Sequence, residues 1–163
     1  MSREKGIFEI IKLIRESKNL KVQFHFAGEW RRDSDKIEFE NLINEDLNLN
    51  KIHFHGYVSG KAKEELFLNS DIVVHPSFED AFPINLIEAL SYGLPILAYN
   101  IGAVKSIVKG CGFISNPDKL VDDFKLFLES KSKVTLSKNS RSKYENFFTI
   151  SKFENQLVKI LKN

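Results

Sequence analysis

Two carboxylates set around the start of one helix are the residues whose spacing most suggests chemistry. Asp80 stands just before a helix predicted to open at Pro83, and Glu88 lies about one turn inside it, with seven residues between the two acids. The apolar run from Asp71 to His75 reads as a buried strand, and it ends in Pro76-Ser77. Proline suits a first helical turn. The unpaired N–H groups of that turn, with the helix dipole, favour an anion, and a phosphate fits there without a special side chain. A carboxylate can accept hydrogen bonds from two neighbouring sugar hydroxyls. The pattern could therefore hold a diphosphate between two sets of hydroxyls. Each acid also has a plainer role: Asp80 can cap the helix, and Glu88 can be a solvated side chain.

Other reactive residue types give weaker signals. His53 and His55 share one face of a strand, but no Cys or Asp stands at ligand spacing, so a metal site is not expected there. His75 ends a strand before Pro76, where a structural role is the simpler reading. Cys111, between two glycines, reads as a small packing residue rather than a nucleophile.

The elements that would position these residues alternate. Ile7, Ile10, Ile11 and Ile14 predict a helix from Gly6 to Ser17. Val22, Phe24 and Phe26 alternate with Gln23 and His25 in a strand from Lys21 to Ala27. A helix follows over Asp33 to Leu47, with Ile37, Leu42 and Ile43 inward. Lys51 to Phe54 is a strand. Ser59 can cap a helix through Leu68. Further strands are expected at Asp71–His75, Pro95–Tyr99 and Gly112–Ile114. Further helices are expected at Pro83–Tyr92, Ala103–Val108, Asp118–Leu128, Thr135–Phe147 and Ile150–Leu161. This rhythm predicts an α/β fold: a Rossmann-like parallel sheet with helices on both faces.

Composition bounds the rest. The 163 residues suit one domain, 1–163, in which 117–163 forms a helical C-terminal extension. Apolar residues make up 42% and charged residues 28%, an ordinary soluble balance. A single cysteine excludes an internal disulfide and suits a cytoplasmic setting. Net charge is uneven: eight Lys/Arg and two Glu from Lys131 onward give +6, and the first 130 residues carry −4. A basic end of this kind can meet the inner face of a membrane peripherally, although a solvated helix pair is the simpler account. With no aromatic–basic interleaving, nucleic acid is not an expected partner.

The stretch His75-Pro-Ser-Phe-Glu-Asp-Ala-Phe-Pro-Ile-Asn-Leu-Ile-Glu-Ala-Leu-Ser-Tyr-Gly-Leu-Pro-Ile resembles the E-x7-E region of GT-B-fold retaining glycosyltransferases. These are the glycogen-synthase-like enzymes of family 4, or glycosyl transferases group 1. Asp80 and Glu88 fall on its two acidic positions. Lys5-Gly6, Phe26-Ala27-Gly28, His55-Gly56-Tyr57-Val58 and Gly102-Ala103 resemble further parts of the same family. The resemblance implies the donor-binding, C-terminal half of such an enzyme, active in cell-surface polysaccharide or glycoconjugate synthesis. It implies that Lys5 and the N–H groups of Phe82, Ile84 and Asn85, beside Ala81, hold the donor diphosphate. Either Asp80 or Glu79 would bind hydroxyls of the donor sugar, and Glu88 the ribose. Tyr57 and Val58 would flank the base. Pro83, where the family usually has glycine, offers no N–H.

The resemblance further implies a nucleotide-diphosphate sugar as donor and a saccharide or lipid-linked acceptor. No cofactor and no metal are expected. An N-terminal acceptor domain and the first strand of this domain are expected to be absent, leaving two strands without ladder partners. A separate chain carrying the N-terminal domain would then be a partner, and this chain alone would be weak or inactive. A non-catalytic nucleotide-sugar-binding domain on the same fold is the alternative. A sugar-phosphate epimerase of related architecture would not need the Asp80/Glu88 pair.

Overall fold

A computed structural model describes residues 1–44 and 51–162. The chain opens with α1 (Ile7–Glu16), whose isoleucines at helical spacing are all buried together with Leu13. The strand β1 (Phe24–Phe26) follows, with Phe24 and Phe26 inward and His25 outward, as the alternation predicts. α2 (Asp33–Asn44) departs from expectation in its inward face. Phe39 and Ile43 are buried and Leu42 is partly so, but Ile37 is 58% exposed. The cause is the bulk of Phe39, whose ring meets those of Phe8, Phe26, Trp30 and Phe54. That cluster fixes the rotation of α2 and turns Ile37, two positions away, to the other side. The expected end of this helix, Leu47, lies outside the described residues.

The remaining elements come in the expected order: β2 (Ile52–Phe54), α3 (Gly60–Leu68), β3 (Val73–His75), α4 (Ile84–Ser91), β4 (Ile96–Tyr99), α5 (Val104–Val108), β5 (Gly112–Ser115), α6 (Leu120–Glu129), α7 (Lys133–Phe147) and α8 (Ile150–Leu161). Ser59 stands at the start of α3 without a capping hydrogen bond from its side chain. Pro83 lies one position outside α4 in extended conformation, so the helix opens at Ile84 rather than at the proline.

All strand pairs are parallel, but the strands form two sheets. β1 pairs with β2, with Phe24 opposite Ile52. β3 pairs with β4 and β4 with β5. Among the described residues no ladder joins β1 to β3. Between the two edges runs a cleft of about 780 Å³, lined by Val22, Phe24 and Phe26 on one side and by Ile72 and Val74 on the other.

Two apolar clusters cover the faces. One lies between α1, α2 and α6 and buries Leu13, Phe39, Leu97 and Leu120. The other lies under α4 and α5 and holds Leu86, Leu90, Ile96 and Cys111. α7 is tied to the second: Arg141 donates to the Ser91 carbonyl, and Asn139 to that of Gly110. α8 buries none of its residues and leaves Ile150, Phe153, Ile160 and Leu161 exposed. No helix among the described residues is long and apolar enough to cross a membrane.

Candidate active site

Three segments meet around Asp80: the one before α1 and the loops after β3 and β4. The segment before α1 docks first. Phe78 donates its N–H to the Glu4 carbonyl at 2.9 Å, and Ser77 Oγ donates to the same oxygen at 3.2 Å. Gly6 sits at φ +72°, and a Cβ there would overlap the Pro76 carbonyl. Only glycine lets this segment lie so close to the end of β3.

That docking delivers Lys5. Its ammonium donates to Asp80 Oδ2 at 2.8 Å and to the Glu79 carbonyl at 3.0 Å. Two candidate residues far apart in sequence are thus one ion pair. Asp80 is the more enclosed partner, with 18% of its side chain exposed against 51% for Lys5. Glu79 is exposed, and its carbonyl rather than its carboxylate serves the site. The loop after β4 supports Asp80 from behind. Ala103 donates its N–H to the Ala81 carbonyl at 3.0 Å, and Gly102 lies so near Asp80 and Ala81 that a Cβ would overlap their carbonyls.

α4 starts directly beyond this loop. Its first N–H groups, those of Ile84 and Asn85, precede any intrahelical partner, while Leu86 donates to the Pro83 carbonyl at 3.1 Å. Ile84 is 66% exposed and Phe82 is 52% exposed, so the helix start opens to solvent. A positive helix end and an ammonium therefore flank the same space, which suits an anion.

Glu88 lies further along α4 and has a partner that the sequence reading missed. Lys63 of α3 donates to Glu88 Oε1 at 2.5 Å. Both side chains are partly exposed, at 36% and 37%. α3 buries no residue and carries no strong apolar stripe, so nothing in its pattern points Lys63 at α4.

The cleft brings Lys5, Asp80, Asn85 and His75 onto one lining, at one end of the gap between β1 and β3. Glu88, Tyr57, Val58, Glu79, Ala81, Phe82 and Ile84 are not on that lining. Tyr57 is 74% exposed in the loop after β2 and Val58 is partly buried. His53 and His55 do share a face, and parallel pairing adds His25: its ring stacks on both, with Nδ1 2.9 Å from His55 Nε2. Burial and the two neighbouring rings push the His25 imidazole below its usual value. Among the described residues, no three His, Cys, Asp or Glu are placed to hold a metal ion.

Comparison with known proteins shows the family and the fold. The sequence profile of the glycosyl transferases group 1 family matches residues 1–145. The O-antigen biosynthesis glycosyltransferase WclY of Escherichia coli is 26% identical over 168 residues, covering 100% of this chain and 44% of that protein. The alpha-galactosylglucosyldiacylglycerol synthase of Streptococcus pneumoniae is 30% identical over 112 residues, covering 68% of this chain and 29% of that protein. HepE of Anabaena, solved with UDP-glucose, superposes on 99% of the chain and 46% of its own length, with a TM-score of 0.86 and 21% identity. That likeness establishes the GT-B fold. The chain spans less than half the length of each of these proteins.

Proposed function

This chain belongs to the glycosyl transferases group 1 family, and on that premise we propose that it is the donor-binding domain of a retaining sugar transferase. The donor is a nucleoside diphosphate sugar. The acceptor is a hydroxyl of a saccharide or lipid-linked saccharide in cell-surface glycoconjugate synthesis, bound largely by an N-terminal domain. One observation carries the reading: Lys5 and the open start of α4 converge on Asp80, so two sources of positive charge border one space beside a carboxylate.

The roles follow from the chemistry. As the bond from the sugar carbon to the diphosphate breaks, negative charge grows on the leaving oxygen. In this reading the Lys5 ammonium and the N–H groups of Ile84 and Asn85 stabilise that charge. Asp80 accepts from hydroxyls of the donor sugar. Glu79, turned to solvent, is the less suited of the two acids. Glu88 accepts from the ribose once Lys63 shares or releases it. Tyr57 and Val58 border the base. WclY, by its name an O-antigen enzyme, and HepE, solved with UDP-glucose, support the substrate class.

With charge neutralised by Lys5, backbone N–H groups and the helix dipole, transfer is expected to need no metal. The assay is transfer from an α-linked nucleotide sugar by the intact enzyme in excess chelator, with the anomeric proton of the product read by NMR. An α product at undiminished rate is the expected result. A β product contradicts retention, and a loss of rate restored by manganese or magnesium contradicts the charge assignment.

A further inference from the structure

His75 ends β3 almost fully enclosed, at 7% exposure, and its Nε2 has no hydrogen-bond partner among the described residues. Buried side-chain nitrogens are seldom left so, and one beside a binding cleft calls for an explanation. The nitrogen lies 3.7 Å from Asp80 Oδ2, beyond hydrogen-bond range. That same oxygen takes the Lys5 ammonium at 2.8 Å. All three residues line the cleft.

The arrangement has one cation too few for the proposed ligand. Without ligand, Lys5 balances Asp80, and a second positive charge on the enclosed imidazole would be poorly tolerated. Burial accordingly pushes the His75 imidazole below its usual value; Asp80 works against that and Lys5 with it. A diphosphate brings at least two negative charges and competes with Asp80 for Lys5. Asp80 then lacks a cation, and the nearest group able to supply one is His75.

We propose that His75 takes up a proton as a diphosphate-bearing ligand binds, and that its Nε2–H then closes onto Asp80 and leaves Lys5 free to hold the phosphates. This rests on the donor-binding reading above. His75 is a positioning residue here, acting through Asp80 and Lys5. The proton comes from solvent, and no covalent bond changes. The other charged and titratable residues lining the cleft are Met1 with its amino terminus, Lys5, Lys21, His25, Asp71, Asp80 and Lys133. Of these, Asp80 and Lys5 act on His75. β4 presents Ala98 opposite His75, which does not titrate.

The sign of the linkage is definite. A group whose pKa rises on binding makes the complex tighter as pH falls, between its bound and free values. The probes are uridine and guanosine 5′-diphosphate, titrated calorimetrically into the full chain from pH 8.5 to pH 6. The ligand's own phosphate titrates in the same range, so the reading is the ratio of wild-type to His75→Asn affinity. A rise of one pKa unit makes this ratio climb as pH falls, toward a limit of about tenfold that is reached only below the value of the free imidazole. Wild type also takes up more protons per bound ligand near pH 7 than His75→Asn does, seen by comparing buffers of different ionisation heat. The variant-free check is the pH titration of the His75 ring by NMR, with and without ligand, in which the ligand moves the midpoint upward. A constant ratio, or an unmoved or lowered midpoint, overturns the proposal. If the diphosphates bind and Glu88→Ala weakens them while the midpoint stays still, only the role of His75 fails. If neither diphosphate binds wild type, the donor-binding reading fails and takes this proposal with it.

Discussion

Glu88→Ala weakens binding of a nucleoside diphosphate by roughly 10- to 100-fold. The carboxylate accepts two charge-assisted hydrogen bonds in the proposed pose, worth about 1.5–3 kcal/mol when lost, and each 1.4 kcal/mol is about tenfold in affinity. Stability should barely change. Glu88 is partly exposed, and its ionic partner among the described residues, Lys63, is partly exposed too and can turn to water. Changes at such surface positions usually stay within about 0.5 kcal/mol. The contrast with Glu79→Ala is part of the expectation, because Glu79 points to solvent and contributes its carbonyl instead. Calorimetry of both variants checks this. Equal affinity for wild type and Glu88→Ala, at unchanged melting temperature, contradicts the ribose assignment.

The second large effect concerns the divided sheet. In β3 the Val73 N–H bonds the Pro95 carbonyl of the loop before β4, so the N–H and C=O of Val74 point the opposite way, into the cleft. In β1 the Phe26 carbonyl accepts from His55 beyond β2, so the backbone of His25 faces the cleft from the other side. Two parallel edges therefore look at each other across one gap, each with unpaired groups. A strand placed between them would restore about four ladder bonds, a gain of roughly 2–6 kcal/mol at the usual net value per bond. For a chain of this size each kcal/mol is about 2–4 °C in melting temperature. Fusing an extended segment with alternating valine and threonine ahead of Met1, its valines facing α1 and α6, is expected to raise Tm by about 10 °C. It should also protect the His25 and Val74 amides from exchange. No rise in Tm, or those two amides already protected in the unextended chain, contradicts the open-edge account.

What the sequence revealed, and what it hid, divides along the reach of the interaction. The α4 region was legible because strand, turn, proline and acid spacing all sit within two dozen consecutive residues. The inward face of α1 was legible because four isoleucines keep a strict helical period. The face of α2 was misread because an aromatic cluster assembled from four separate segments decides it, and Phe39 outbids Ile37 only once those rings are in place. Lys63 was hidden because α3 carries two lysines, Lys61 and Lys63, and buries nothing, so only its seat beside α4 distinguishes one from the other. The pairing of Lys5 with Asp80 was reachable through family resemblance alone, since no local pattern links positions so distant. The histidine stack was half legible: His53 and His55 share a strand face by alternation, but His25 joins them through the register of β1 on β2.

The central claim is that the diphosphate of a nucleotide sugar binds where Lys5 meets the start of α4. Titrating uridine 5′-diphosphate into isotopically labelled chain and following backbone amide shifts tests it most directly. The expected map has its largest shifts at Gly6, Phe82, Ile84 and Asn85, with a second group at Tyr57 and Val58 where the base would lie. Saturating shifts confined to α7 and α8, or no shift at Ile84 and Asn85 at ligand concentrations that saturate elsewhere, would contradict it.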